Sequence, residues 1–242
     1  MSLILKTLMN SVAQWKDVSP YAKHMDQPTA ARQPTIHTTS PWGPSQYKFD
    51  GAADPNADSF YVLDTWFRLI DAVPVTAGTL MVWFTPDIFT TEMFLAGASV
   101  AAADDDEFWL GMDGTVANDP LEVVLRVNGI TTYQGRFAAS LTNADKNFAA
   151  ITSDGTTIRA YFNGDPVALT DIVGANTGQW FASATQSNIF CVGALSRAVQ
   201  TFPFNGKMAL AVMYDNPKPA GEIKRIWESG YTLHGPRYLP KE

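Results

Sequence analysis

Hydrophobic and polar residues alternate in short runs along most of this chain, and the runs end at turn-forming pairs. Leu121, Val123, Leu125 and Val127 fall on one side of an extended segment, with Glu122 and Arg126 on the other. That period of two predicts a half-buried strand. Asn128-Gly129 separates it from a second run over 130–137, and Asn and Gly accept the positive φ that both corners of a tight hairpin demand. The stretch 148–166 repeats the device, with Asp154-Gly155 and Asn163-Gly164 read as two-residue turns between strands. Residues 79–85 are apolar on both alternating faces, which predicts a central strand covered on both sides. Further strands are expected over 47–51, 59–64, 92–98, 107–112, 165–169, 188–192 and 204–214. In the last of these, Met208, Leu210, Val212 and Tyr214 share one face, and Asn205-Gly206 reads as a turn or bulge.

Two regions depart from this rhythm. Residues 1–15 fit neither period cleanly, so a first strand and a short amphipathic helix both stay open there. Residues 16–44, with Pro20, Pro28, Pro34, Pro41 and Pro44, read as loop. One helix is expected near the end. Pro219 suits a first helical turn, Glu222 complements the helix dipole, and Ile223, Ile226 and Trp227 form one apolar face that stops at Gly230. Closely spaced short strands with turn signals predict an all-β, two-sheet antiparallel sandwich. No repeat or linker divides the chain.

Composition narrows the function. Hydrophobic residues make up 46% and charged residues 17%, which fits a globular chain. A net charge of −7 without a basic stripe excludes nucleic acid as an expected partner. No run is long and apolar enough for membrane insertion. Cys191 stands alone in the apolar run 189–192, so no intrachain disulfide forms and a buried thiol is expected. The N-terminus lacks the features of a signal peptide, which predicts synthesis in a cytoplasm without export.

The order of segments carries a resemblance. Trp15-Lys16-Asp17-Val18-Ser19, Tyr47-Lys48-Phe49-Asp50-Gly51, Ser59-Phe60-Tyr61-Val62, Leu80-Met81-Val82-Trp83-Phe84 and the 148–164 hairpin resemble the laminin-G-like, concanavalin A-like jelly-roll family. So do Phe204-Asn205-Gly206-Lys207-Met208-Ala209 with Val212-Met213-Tyr214, and the Ala220-Gly221-Glu222-Ile223 helix start. Phe148-Ala149-Ala150 departs from the Trp-His pair of many members. The resemblance implies a jelly roll over 45–230, an irregular segment over 1–50 belonging to the same domain, and an extended tail over 231–242. It implies a scaffold shared by lectins, pentraxin-like binders, adhesion modules, glycan hydrolases and virion surface proteins, and does not choose among them.

Catalysis finds little support. The glucanases of this fold carry E-x-D-x-x-E on one strand, and Glu92, Glu107, Glu122, Glu222 and Glu228 are scattered instead. His24, His37 and His234 lie in expected loops or tail, and no His/Cys spacing suits zinc. Asp104, Asp105 and Asp106 form an acidic run that Asp113 and Asp119 can join, a candidate calcium loop. The competing account, a solvated loop whose charges blunt a strand end, is the favoured one. Trp109, Tyr133 and Trp180 are the candidate platform for stacking on a sugar ring, whereas Trp83, Phe84, Phe162 and Phe190 read as core. The expected function is a non-enzymatic virion-surface protein, such as a capsid decoration, tail or fibre component. Its expected partners are other virion proteins, further copies of itself and host glycans. A stand-alone lectin-like module and a glycan hydrolase are the alternatives.

Overall fold

The computed structural model describes residues 3–11, 13–17, 22–37, 46–63, 67–70, 73–88, 91–101, 103–116, 120–139, 141 and 146–230. The tail 231–242, with His234, and Asp119 lie outside the described residues. Two antiparallel sheets face each other. In the first, Gly78–Pro86 is central, flanked by Asn147–Ser153 on one side and Asn205–Tyr214 on the other. Ile158–Phe162 and Asp165–Val167 extend one edge, and Gln46–Asp50 with Thr35–His37 the other. In the second, the order runs Gln14–Asp17, Met25–Asp26, Phe60–Leu63, Ile189–Val192, Met93–Ser99, Glu107–Met112, Leu121–Val127, Ile130–Phe137, Leu169–Val173.

The segment that was open between strand and helix is a strand, Leu3–Ser11. Its first part pairs with Asn205–Tyr214 in one layer and its second with Gln14–Asp17 in the other, so it straps the two sheets together. Within 22–37, expected as loop from its prolines, half of the residues lie in two short strands, Met25–Asp26 and Thr35–His37, and the 3₁₀ turn Ala30–Arg32.

Between the sheets lies one continuous core, built from the inward half of each strand's alternation. At one end Trp15, Tyr47 and Phe60 meet with ring centroids 4.7–5.6 Å apart. Every residue of Gly78–Pro86 is buried, as its two-sided apolar pattern predicts. Leu80, Val82 and Phe84 point into the core, while Met81 and Trp83 face outward beneath the helix Ala220–Gly230.

Turn chemistry held at two corners and failed at two. Asn128-Gly129 (φ 51°, 72°) and Asn163-Gly164 (φ 50°, 85°) are two-residue turns with both corners left-handed. Asp154-Gly155 is not a two-residue turn. Ser153 pairs with Ile158 across a four-residue loop, because the Asp154 carboxylate accepts from Thr156 and Thr157 amides and organises a wider corner. Asn205-Gly206 opens the last strand rather than turning it. That strand also breaks the expected shared face. A bulge between Met208 and Leu210 turns Met208 into the core and leaves Leu210 and Val212 outside.

Candidate functional site

The two outer faces of the sandwich differ in what covers them. On the first sheet, Ile223, Ile226 and Trp227 of the helix lie against Met81, Trp83, Phe148, Tyr161, Leu210 and Val212. That face is closed by apolar packing. On the second sheet, Phe94, Trp109, Val124, Ile189 and Cys191 form an outward cluster, covered by Leu195 and Phe202 of the 195–202 segment. Leu195–Ser196 pairs with Gln200–Thr201 to make that segment a small hairpin.

Beside this cover the same sheet presents an open groove of about 770 Å³, lined by Ala13, Gln14, His24, Asp26, Pro28, Tyr61, Val62 and Leu63. Tyr61 projects outward because Phe60, its neighbour in the alternation, is buried in the core. Asp26 pairs with Tyr61 across the sheet, and its Oδ1 accepts from Gln14 Nε2 at 2.8 Å. The groove thus combines an aromatic face, an apolar wall at Leu63 and polar groups that both donate and accept. Such a mixture suits a polyhydroxylated ligand. Sequence reasoning passed over Tyr61. The signal was the alternation at 60–62, but Gln14, His24 and Asp26 come from segments with no period to place them.

The predicted aromatic platform is not formed. Tyr133 and Trp180 belong to the inter-sheet core, Trp180 against Phe108 and Phe181, and the Tyr133 hydroxyl donates to Asp171 Oδ1 at 3.2 Å. Trp109 does face outward, as its strand parity requires, but is 2% exposed beneath Phe202, with Phe94 beside it. The three rings therefore have no free face to offer a sugar.

The acidic residues are also engaged. Asp106 is buried, accepting from Asn128 N, Gln186 N and Thr185 Oγ1 at 2.9–3.1 Å, which pins the 128–129 turn to the 185–186 segment. Asp104 pairs with Arg126 at 2.5 Å and lies 3.5 Å from Arg197. The Asp105 carbonyl accepts from Gly129 N, and Asp113 accepts from Thr115 and Arg136. Hydrogen bonds from Thr115 and Arg136 outweigh burial and hold the Asp113 carboxyl below its usual range. Among the described residues no group of three or more His, Cys, Asp or Glu side chains comes together to hold a metal ion. The strand ends that carry the candidate calcium loop are hydrogen-bonded within the chain instead, with donors on the carboxylates of Asp104, Asp106 and Asp113.

Two further carboxylates lie on this face. Glu107 is buried and forked by Arg197, with contacts of 2.5 and 2.8 Å. Glu122 is buried too, accepting from Gln134 Nε2 at 2.6 Å. Burial pushes the Glu122 carboxyl up to about 7, Asp113 and Glu92 push the same way, and the Gln134 amide opposes them. On the same sheet, burial pushes the Cys191 thiol up to about 12, so the lone cysteine is a protonated core-like group as expected.

A family model described as the concanavalin A-like lectin/glucanases superfamily matches residues 65–224. The chain belongs to this superfamily. No curated protein matches it in sequence. Among solved structures, the superfamily fold here is similar to the CBM40 of Ruminococcus gnavus IT-sialidase bound to α2,3-sialyllactose, at TM-score 0.53 and 15% identity, covering 62% of this chain and 81% of that one. It is similar to the heptameric SAP-like pentraxin of Limulus polyphemus, at TM-score 0.56 and 13% identity, covering 74% and 80%. A Trypanosoma rangeli sialidase complexed with 2,3-difluorosialic acid gives TM-score 0.60 at 14% identity, covering 97% of this chain but 34% of the sialidase. At these identities the likeness is one of fold. The chain has a lectin-like jelly roll.

Proposed function

We propose that this chain is a non-enzymatic, glycan-binding jelly roll that forms part of a larger particle, as a surface component of a virion. The observation that carries the binding reading is the open groove, where Tyr61 lies beside Asp26, Gln14 and His24 on the outer face of a lectin-like sheet. Glycoside hydrolysis needs two carboxyl groups flanking one bond. Among the described residues Asp26 is the one acid lining this groove, and Glu107 and Glu122 are buried on another part of the face. The assembly reading is supported by the sheet edge Leu169–Val173. Among the described residues it pairs on one side alone, and Ile172 and Val173 are exposed there.

The test is a glycan array probed with the wild type and Tyr61→Ala. Binding that falls at least tenfold in the variant, roughly the loss expected for a stacked ring, supports the groove; wild-type turnover of any arrayed glycan would overturn the non-enzymatic reading. A size measurement on the native preparation tests the assembly. A strictly monomeric, particle-free protein that still binds glycans would instead mark a stand-alone carbohydrate-binding module.

A further inference from the structure

The sheet that carries the groove continues beyond it. Across the second sheet, Tyr61 pairs with Cys191, Cys191 with Gly97, and Gly97 with Trp109. These four residues form one row on the outer face. Three strand spacings separate Tyr61 from Trp109, about 14 Å. The two residues between them are small, and Trp109 packs so closely over Gly97 that a Cβ there would collide with it. The row therefore has an aromatic ring at each end and no bulky side chain between them. The 195–202 hairpin lies over its Trp109 half.

The hairpin is attached to this row in an unusual way. Its legs carry two left-handed residues, Gly193 (φ 90°) and Phe202 (φ 53°). For Phe that conformation is strained, and it persists only while the surroundings enforce it. Apolar and polar contacts together enforce it: the Phe202 ring lies 5.8 Å from Trp109 in centroid distance, and the Phe202 carbonyl accepts from Phe94 N at 2.8 Å. Arg197 sits 5.1 Å from the centroid of the Phe202 ring and forks Glu107 on the sheet below. The Ser99 hydroxyl donates to the Ser196 carbonyl, and Gln200 Nε2 donates to Ser59 Oγ at 2.6 Å. The outward tip, Val199, is 54% exposed. Beneath, the Trp109 indole N–H is buried without a hydrogen-bond partner.

We propose that residues 194–202 are a flap, hinged at Gly193 and Phe202 and latched by Arg197 on Glu107. In the closed form it covers an extension of the groove that takes the far end of an extended oligosaccharide. This rests on the glycan-binding reading of the groove. Opening relieves Phe202, frees one face of Trp109 and offers its N–H to a sugar hydroxyl.

Cys191 provides the probe. It is the chain's one cysteine, it lies in the row, and it belongs to the same cluster as Leu195 of the flap. The experiment compares labelling of Cys191 by a thiol reagent in the wild type and in the double variant Glu107→Gln/Arg197→Gln. The double variant removes both latch charges together and leaves no buried carboxylate without its counter-ion. Urea unfolding of both proteins gives the rate that global opening alone would allow. The expected result is labelling roughly tenfold faster in the variant, well above that rate, as for local opening of a latched segment. Labelling at the global unfolding rate in both proteins would overturn the flap. On an array carrying di- and hexasaccharides of the same linkage, the variant should gain several-fold on the hexamers and leave the dimers unchanged. Fast labelling without that gain would overturn the extension and leave the hinge motion. Absence of all glycan binding by the wild type would instead remove the groove reading, and Cys191 labelling would still decide the flap.

Discussion

Trp83 and Trp109 occupy matching places on opposite sides of the sandwich. Each sits in an interior strand, faces away from the common core, and is buried by an element that arrives late in the chain. Their covers differ in kind. Trp83 lies 4.6 Å from Phe148 in ring-centroid distance, in a cluster that the helix closes with Ile223 and Trp227. Trp109 lies under a short hairpin held by an arginine fork and a strained phenylalanine. An apolar cover is indifferent to pH and salt and loses area if it lifts. The hairpin buries Leu195 and Phe202 too, but its Arg197–Glu107 pair regains water when it lifts, which offsets part of the lost area. The same layered fold thus has one sealed face and one that can serve for recognition.

Removing the two rings should separate these faces most sharply. Trp83→Ala is expected to cost about 3–5 kcal/mol, because helix and sheet cannot both collapse into the space. Trp109→Ala should cost about 2–3 kcal/mol, because a hinged cover can settle onto the gap. Urea denaturation of both variants measures the difference. Equal losses would show that the hairpin is as rigid a lid as the helix.

Glu122 gives the next effect, with the opposite sign. Its folded carboxyl titrates near 7 against an ordinary 4.5, chiefly through burial. A raised acid holds its proton more tightly when folded. Its contribution is therefore fully present below about pH 4.5 and is lost as pH rises through about 7. At pH 8 the charged form is held in a buried site at a cost of about 3 kcal/mol, from 1.36 kcal/mol per pKa unit. Glu122→Gln removes that cost and keeps an acceptor for Gln134. Its unfolding free energy should rise by about 2–3 kcal/mol at pH 8 and stay level at pH 4.5. No comparable buried acid sits under the helix; Asp58, which burial pushes up to about 6, lies beside Asp50 at the edge of the first sheet and adds a smaller pH dependence of the same sign.

The comparison also explains what could be read from the sequence. Strand parity was legible wherever a run alternated, as at 121–127, and the helix was legible from Pro219 to Gly230. The alternation of Phe108 and Leu110 with Trp109 also carries the outward placing of Trp109. What hides Trp109 is a hairpin some ninety residues further on, whose two-residue strands are too short to show a period. Tyr133 was misread for a related reason. Its strand carries Thr131, Gly135 and Phe137 in the same parity, a mixed signal that only the packing of Phe137 resolves inward. Asp104 to Asp106 looked like a ligand loop because the arginines and amides that satisfy them lie at 126, 128, 186 and 197. Local pattern fixes which way a side chain points. Long-range contacts decide whether anything is left for it to do.

The smallest expected effect refines the comparison at its edge. Val199 is the exposed tip of the hairpin and sits outside the apolar cluster below it. Val199→Asp should change stability by no more than about 0.5 kcal/mol, the usual range for an exposed site away from caps and cores. If the hairpin were a fixed part of the core, a charge at its tip would leave the rest unmoved as well, so stability alone does not discriminate. Cys191 labelling does. The new carboxylate lies two residues from Arg197 and competes for it, which weakens the latch without touching the helix-covered face. Labelling of Cys191 should therefore accelerate a few-fold at low salt and return toward the wild-type rate as salt screens the tip. A rate that ignores both the substitution and the salt would mean that the hairpin is held by Leu195 and Phe202 alone, and the two faces would then be sealed in the same way.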